Sequence, residues 1–359
     1  MCKILELVNP GVVTAEEMNI IFSLAKKKKF ALPAVNCIDM NSINSTLETA
    51  FRMQSPVIIQ FSYGGASFMS GLGLKSQEKH IPAILGAISG AKHVHLMAKK
   101  YKIPVILHTD HCHKKILPWI NALLKQGKKH FLKYKRPLFS SHMIDLSIET
   151  LSTNLKFSKK YLKKLKKINM FLEFELGCTG GEEDGIDNTN LKKDLLYTDP
   201  TSIIYFYKKL KKISKNFMIA ASFGNIHGVY QPGKVALKPT ILKESQKILN
   251  SQNTIYNNPI NFVFHGGSGT QDSEIQEAIN YGVIKFNIDT DIQWATWNGI
   301  LNYYKNNKNY LQKQLGNPQG PNQPNKKYYD PRIWIRFSQK YVIKKLENLF
   351  KKLNSINVL

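Results

Sequence analysis

The residues most suited to chemistry lie between positions 104 and 113, where the sequence reads Pro-Val-Ile-Leu-His-Thr-Asp-His-Cys-His. The short apolar run after Pro104 ends in a group of titratable side chains, which predicts a buried strand that stops at a reactive edge. Because side chains alternate along a strand, His108 and Asp110 should share one face, and His111 should lie where a loop begins. One carboxyl group and one imidazole could therefore share a pocket.

His227 and His265 end two later apolar runs, Ala-Ser-Phe-Gly-Asn-Ile-His and Asn-Phe-Val-Phe-His. A lone histidine at a strand end is more often a structural residue than a metal ligand. Three histidines in equivalent places, counting His111, instead match an open zinc site, in which three imidazoles leave a position for substrate. Neighbouring histidines are expected to be structural or to orient a ligand, and the choice among all of them stays open here: His108, His113 and His142.

One carboxylate, Asp145, follows the next predicted strand, and another, Glu175, lies on the strand after that. Asp145 and Glu175 offer hard oxygen ligands for a second divalent cation, although salt bridges to lysines account for them equally well. Glu175 would also be available to the first metal. The glycine-rich, acidic stretch 177–185 predicts either an exposed loop or a hinged lid that brings Glu182 or Glu183 over the substrate as a base.

Glycine-rich turns and strand ends provide candidate phosphate sites. The turn Gly-Gly-Ser-Gly at 266–269 presents backbone N–H groups, and Asn-Ile-Asp-Thr at 287–290 ends the last predicted strand. Barrels frequently bind a phosphate at these two places. Ser62 and the Gly-Gly turn at 64–65 could bind a second anion across the mouth. Two phosphates imply a bisphosphate substrate or two phosphorylated halves.

The elements that must position these residues alternate between strand and helix, which predicts parallel β and α units. Eight apolar strands suggest a closed (β/α)8 TIM barrel, whose active site forms at the carboxyl ends of the strands. The predicted strands are 32–37, 56–62, 104–109, 137–142, 170–176, 217–222, 260–265 and 283–288. The predicted helices between them are 15–29, 42–53, 81–102, 113–126, 147–167, 201–213, 239–250 and 272–281.

Two additional C-terminal helices are predicted at 291–306 and 333–353, separated by a segment at 316–331 that is rich in Pro, Asn and Gly and predicted as a loop. No linker divides the chain. We therefore expect one barrel domain over residues 1–359, with the loop 316–331 and the helix 333–353 as an extension.

The formal charge of +26 would ordinarily suggest a nucleic-acid or membrane partner. Only four residues are arginine, and the lysines are spread along the chain, as A/T-rich codons would produce. In 151–168 they surround an apolar helical stripe, which favours a solvated face over a specific nucleic-acid site. The four cysteines form no CxxC pair, and no apolar run approaches the ~20 residues that a membrane span needs. We expect a cytoplasmic protein without a membrane partner.

From near residue 5 to the C-terminus the chain resembles the class II, metal-dependent fructose-bisphosphate aldolases. The most specific motifs are Val-Ile-Leu-His-Thr-Asp-His-Cys at 105–112, Glu-Leu-Gly-Cys-Thr-Gly-Gly-Glu-Glu-Asp-Gly at 175–185, Phe-His-Gly-Gly-Ser-Gly at 264–269 and Asn-Ile-Asp-Thr-Asp at 287–291. The segment Asn-Lys-Lys-Tyr-Tyr-Asp-Pro-Arg at 325–332 is also similar. The resemblance implies a homodimeric barrel that interconverts fructose 1,6-bisphosphate with dihydroxyacetone phosphate and glyceraldehyde 3-phosphate.

The resemblance also implies a role for each matching residue. Asp110 would be the proton donor and Glu183 the base on the lid. The catalytic Zn²⁺ would be bound by His111, His227 and His265, and a second divalent cation by Asp145 and Glu175. The dihydroxyacetone phosphate half would contact Gly228, Gly266, Gly267, Ser268, Asn287, Ile288, Asp289 and Thr290.

Further implied contacts lie at the edge of the site. Ser62 would bind the aldehyde half, and Arg332 would reach the far phosphate from the partner subunit. Backbone near Gly228 and Gly266 would hold a monovalent cation, Na⁺ or K⁺. Tyr63 departs from the pattern, since a smaller polar residue is expected before the Gly-Gly turn.

Three alternatives stay open from the sequence. A tagatose-bisphosphate aldolase uses similar residues and differs in the configuration of one substrate carbon. An imine-forming aldolase would use a lysine, and Lys285 has the strand parity to face inward. A basic nucleic-acid-binding protein is compatible with the charge alone, and it would bind with a steep dependence on salt.

Overall fold

The computed structural model describes residues 3–74, 76, 78–183, 186–188, 193–228, 237–250 and 258–359. In chain order, strands β1 to β14 are Gly11–Val12, Leu32–Asn36, Val57–Phe61, Pro104–Thr109, Ser141–Ile144, Phe171–Leu176, Gly180–Glu183, Ile186–Asn188, Phe217–Ala221, Ile226–His227, Phe262–Phe264, Val283–Ile288, Leu315–Asn317 and Gly320–Pro324. Helices α1 to α12 are Ala15–Lys28, Met40–Met53, Tyr63–Met69, Ile81–Lys100, Leu117–Tyr134, Leu151–Lys166, Pro200–Lys211, Thr240–Asn250, Asp272–Asn280, Thr290–Asn307, Lys326–Tyr329 and Pro331–Lys352.

Eight parallel strands form a closed barrel in the order β2, β3, β4, β5, β6, β9, β11 and β12, and β12 pairs with β2 to complete the ring. The short strand β1 pairs with the start of β4, through Gly11 and Pro104. The helices that follow the strands surround the barrel. The predicted (β/α)8 architecture is therefore confirmed, including the additional helices α10 and α12 beyond the eighth barrel strand.

The barrel strands are buried along their whole length, because helices cover their outer face and side chains fill the interior. Strand β6 illustrates how side chains alternate between the helix-covered outer face and the barrel interior. Its Phe174 packs outward against Phe206 of α7, with ring centroids 5.7 Å apart, whereas Glu173 and Glu175 have the opposite parity and face the interior. Carboxylates placed in this way are buried and require partners within the barrel.

Seven of the eight predicted barrel strands overlap the observed strands closely, but the fourth was misplaced. The run at 137–142 predicts a strand, whereas the ladder begins only at Ser141 and continues to Ile144. Leu138 and Phe139 are buried by packing, Phe139 edge-on against Phe61, without belonging to a strand. The apolar residues of this segment therefore indicated correctly that it is buried, but not whether it forms a strand.

Other boundaries also differ. The helix predicted at 113–126 extends as α5 to Tyr134, and α3, directly after Ser62, was not predicted. The loop expected at 316–331 is wrong, because the segment contains an antiparallel pairing of β13 with β14 and the short helix α11. Across the described residues, no helix combines the length and apolarity needed to cross a bilayer.

Candidate active site

His111 and His265 come together at the carboxyl ends of β4 and β11. Their ring centroids lie 4.7 Å apart. His111 occupies a left-handed backbone conformation with φ of 34°, which turns the chain sharply at the end of β4. Ligand atoms of His111, His265 and Asp110 all lie within 4.8 Å of one another. Two of the three predicted zinc ligands thus lie beside the predicted proton donor.

Asp145 and Glu175 approach the same histidines from β5 and β6. Nδ1 of His111 lies 3.2 Å from Asp145 Oδ2 and 3.6 Å from Glu175 Oε2, and Nδ1 of His265 lies 3.8 Å from the same Glu175 oxygen. The second oxygen of Glu175 accepts hydrogen bonds from the backbone N–H and hydroxyl of Thr179. A second group of side chains that could hold a cation, His111, Asp145 and Glu175, therefore shares a histidine with the first group.

The pKa values of these two carboxyl groups are shifted in opposite directions. Burial, together with the charge of Asp145, raises the pKa of Glu175 to about 8. Burial alone would also raise the pKa of Asp145, but hydrogen bonds with His111 and Ser147 hold it below its ordinary value. Two buried acids beside one imidazole cannot both be charged without a compensating cation.

The donor set fits a divalent cation. Among the described residues, Oε2 of Glu175 is buried and accepts no hydrogen bond, although it faces the Nδ1 atoms of both histidines. Imidazole nitrogen and carboxylate oxygen are the ligands that Zn²⁺ takes in catalytic sites. A cation between these groups would satisfy the orphaned oxygen and offset the buried charge.

Asp110 is fully buried and is held by three side-chain amides. Its Oδ2 accepts hydrogen bonds from Gln60 at 2.8 Å and from Asn36 at 3.2 Å, and its Oδ1 lies 3.4 Å from Nδ2 of Asn287. Gln60 also bonds to Asn36. The carboxyl group therefore has a fixed orientation next to the histidine pair.

Two of these amides, Asn36 and Gln60, were not predicted from the sequence as site residues. Each is a polar side chain near the end of an otherwise apolar strand, β2 and β3, and both are buried. That pattern was the available signal, because a buried amide in a strand interior requires a hydrogen-bonding partner.

The predicted phosphate residues cluster after β11 and β12. Gly266 and Gly269 adopt left-handed backbone conformations. A Cβ atom at Gly267 would lie 2.0 Å from the Phe286 ring, so only glycine fits there. Asn287 and Ile288 end β12, Asp289 precedes α10, and Thr290 is its first residue. Backbone N–H groups at the start of this long helix favour an anion.

Ser62 and Arg332 occupy different settings. Ser62 is buried at the start of α3, where its hydroxyl accepts a hydrogen bond from Gly65 N–H at 3.1 Å. The Arg332 side chain is 88% exposed at the start of α12 and is paired with Asp330 at 2.6 Å. Within one chain, Arg332 thus lies on the surface, open to another molecule.

The predicted lid contains a small sheet. Strand β7 pairs with β8 and with β10, and Gly181 is aligned with His227. The backbone of Gly228 has a φ of 103°. The side chains of Glu182, Glu183 and His227 lie outside the described structure, so their predicted roles stay predictions.

The imine-forming alternative for Lys285 conflicts with its contacts. Its amine is fully buried and lies 3.0 and 3.1 Å from the two carboxylate oxygens of Glu173, and 2.8 Å from Oδ1 of Asn287. Three oxygen atoms surround the nitrogen and two of them accept hydrogen bonds from it, whereas a nucleophilic lysine needs a free lone pair directed at the substrate.

Comparison with known proteins is consistent with this arrangement. The family model "Fructose-bisphosphate aldolase class-II" matches residues 16–358. The chain belongs to the class II fructose-bisphosphate aldolase family. It is 63% identical over 358 residues to the class 2 fructose-bisphosphate aldolase of Buchnera aphidicola subsp. Schizaphis graminum, covering 99% of this chain and 100% of that protein.

Two further relatives cover the chain completely. The class 2 fructose-bisphosphate aldolase of Escherichia coli K12 is 58% identical over 359 residues, with 100% of both chains covered. The crystal structure of fructose-bisphosphate aldolase from Campylobacter jejuni is 51% identical, with 100% of both chains covered and a TM-score of 0.90. The class II aldolase is therefore a carbon–carbon lyase of phosphorylated sugars, built on a TIM barrel and dependent on a metal.

Proposed function

We propose that this class II aldolase uses Zn²⁺, bound by His111, His227 and His265, to cleave fructose 1,6-bisphosphate reversibly. The observation that carries the proposal is the convergence of His111, His265 and Asp110 within 4.8 Å, beside a buried carboxylate oxygen of Glu175. A metal bound there supplies Lewis acidity that stabilises negative charge on the substrate oxygens.

The protein side chains divide the remaining work. In cleavage, Asp110 takes the proton of the substrate hydroxyl as the carbon–carbon bond breaks and the aldehyde forms. Glu183 returns a proton to the carbon that becomes part of dihydroxyacetone phosphate. In synthesis Glu183 removes that proton and Asp110 delivers one to the new alkoxide. The amides around Asp110 orient its carboxyl group for both directions.

The two phosphates are assigned to opposite sides of the barrel mouth. We assign one to the N–H groups of Gly228, Gly266, Gly267 and Ser268 and to residues Asn287 to Thr290. We assign the other to Ser62 and to Arg332 of a second copy of the chain, which makes the active enzyme a homodimer. The exposure of Arg332 supports this assignment.

The proposal also covers two further cation sites, the extent of the domain and the location of the protein. Asp145 and Glu175 would hold a second divalent cation, and backbone near Gly228 and Gly266 a monovalent one. Residues 1–359 would act as one barrel domain, with 316–331 and 333–353 as an extension. A cytoplasmic location is supported by the described thiols of Cys37, Cys112 and Cys178, which are buried and free.

A coupled assay tests the proposal. The protein is supplied with fructose 1,6-bisphosphate or tagatose 1,6-bisphosphate, before and after metal removal with a chelator. We expect faster cleavage of the fructose ester, loss of activity on chelation and recovery with Zn²⁺. Preference for the tagatose ester, or inactivation by borohydride through a trapped imine, would contradict it.

A further inference from the structure

A buried ion pair lies in the barrel interior, behind the residues assigned to catalysis. Glu173 of β6 and Lys285 of β12 are both fully buried, and Lys285 Nζ lies 3.0 Å from Glu173 Oε2 and 3.1 Å from Oε1. Burying two charges has a large desolvation cost, and a well-packed apolar pair of similar volume is often as stable. The pair therefore calls for an explanation other than stability.

Glu173 also contacts a predicted metal ligand. Its Oε1 lies 2.9 Å from Nε2 of His265, and its Oε2 lies 3.3 Å from Nε2 of His108. A hydrogen bond from Nε2–H of His265 to this carboxylate leaves Nδ1 as the nitrogen directed toward Glu175 and the metal group. Glu173 thereby fixes both the tautomer and the ring orientation of His265.

Lys285 connects Glu173 to Asn287, which lies next to Asp110. Its ammonium group donates to Oδ1 of Asn287 at 2.8 Å. Since a lysine can only donate, the amide oxygen of Asn287 must face it, and the NH₂ group must face Asp110, whose Oδ1 lies 3.4 Å away. Lys285 thus determines which end of Asn287 meets the proton donor.

We propose that Glu173 and Lys285 are positioning residues that connect the metal ligand His265 to the acid Asp110. The connection is a series of side-chain contacts that runs from His265 through Glu173, Lys285 and Asn287 to Asp110. This inference rests on the proposed function and deepens it. Neither residue is among those assigned to the reaction itself. Glu173 sets the geometry of the metal site, and Lys285 sets the geometry of the acid and of Asn287.

Experiments should distinguish the effect of Glu173 on the metal site from the effect of Lys285 on Asn287 and Asp110. Replacing Glu173 with Gln removes the charge that both His265 and Lys285 require, so we expect zinc affinity to fall by about 10- to 100-fold. Replacing Lys285 with Met leaves Glu173 next to His265 but releases Asn287. We expect kcat to fall by about tenfold or more and zinc affinity to change less than in Glu173→Gln.

The readouts are zinc affinity by equilibrium dialysis with a competing chelator, the visible absorption spectrum of the Co²⁺-substituted protein, and kcat and KM on fructose 1,6-bisphosphate. Lys26→Met is the matched control, because Lys26 is a partly buried lysine, bonded to Asn258 O and Asn261 Oδ1 ahead of β11. It should leave all three readouts unchanged. The Co²⁺ spectrum should change in Glu173→Gln and remain close to wild type in Lys285→Met.

A double variant, Glu173→Met with Lys285→Met, separates positioning from folding. An apolar pair should restore the melting temperature if either single variant loses it, and zinc affinity and kcat should stay low. Wild-type zinc affinity and kinetics in the double variant would overturn the inference. So would single variants whose zinc affinity, spectrum and kcat match Lys26→Met. Zinc affinity is measured without substrate, so failure of wild-type protein to cleave fructose 1,6-bisphosphate would refute the proposed function separately.

Discussion

Nδ1 of His111 lies 3.2 Å from Oδ2 of Asp145, which connects the ends of strands β4 and β5 through a single imidazole. The same histidine is shared by two groups of closely spaced side chains, one with Asp110 and His265 and the other with Asp145 and Glu175. Because the groups share His111, cations at the two places would compete for its ring. The second group offers mainly oxygen, which suits a harder cation.

The carboxyl group of Asp110 should be needed for turnover and not for metal binding. We expect Asp110→Ala to lower kcat by about 10²- to 10⁴-fold, the usual range for the loss of a general acid or base. Zinc content, measured by atomic absorption on the dialysed variant, should equal that of wild type. Unchanged turnover in the presence of full zinc would eliminate the assignment.

Gly267 should be sensitive to substitution, because a Cβ atom there would lie 2.0 Å from the Phe286 ring. We expect Gly267→Ala to displace the phosphate loop and to lower kcat/KM by about tenfold, mainly through KM, as expected for lost substrate positioning. Gly127→Ala is the control. Its nearest neighbour is Ile168 Cδ1 at 3.8 Å, and alanine there should stabilise helix α5 by up to about 1 kcal/mol. Equal kinetics in the two variants would contradict the packing argument.

His142 should weaken the fold in acid. Burial lowers its pKa to about 3, whereas the unfolded chain takes up the proton near pH 6.5. The unfolded state therefore binds more protons below pH 6.5, and stability contributed by neutral His142 is lost as the pH falls toward 3. We expect up to about 1 kcal/mol lost per pH unit between pH 6 and pH 4.

His142→Gln keeps a hydrogen-bonding partner for Thr109, whose hydroxyl contacts Nδ1 of His142 at 2.7 Å. Urea unfolding across this range should give a shallower pH dependence for the variant. His80→Gln, at a much less buried histidine, serves as the control. An identical slope for His142→Gln and wild type would refute the attribution.

Arg332 should complete the active site of a partner. Arg332→Ala and Asp110→Ala proteins, each impaired alone, are mixed under conditions that exchange subunits. A mixed dimer then contains one site with both Asp110 and a partner's arginine, so random exchange should restore about a quarter of wild-type activity. Activity that stays at the level of the separate variants would place Arg332 outside the partner's site.

The sequence predicted the parts of the site that depend on strand ends. Asp110, His111 and His265 were predictable because short apolar runs stop at them, and parallel strands gather their carboxyl ends at one edge. The network of Asn36, Gln60, Glu173 and Lys285 depends on register between strands distant in sequence, which composition does not encode. The segment 137–142 failed for a different reason, since burial without ladder hydrogen bonds has the same apolar signature as a strand.

Three imidazoles should meet at one zinc ion, and X-ray absorption at the zinc K edge of the zinc-loaded, substrate-free protein measures this coordination. We expect a nearest shell that includes imidazole nitrogens at about 2.0 to 2.1 Å, with the multiple-scattering pattern of about three rings. A first shell with sulfur at about 2.3 Å, or one made of oxygen without imidazole scattering, would contradict it.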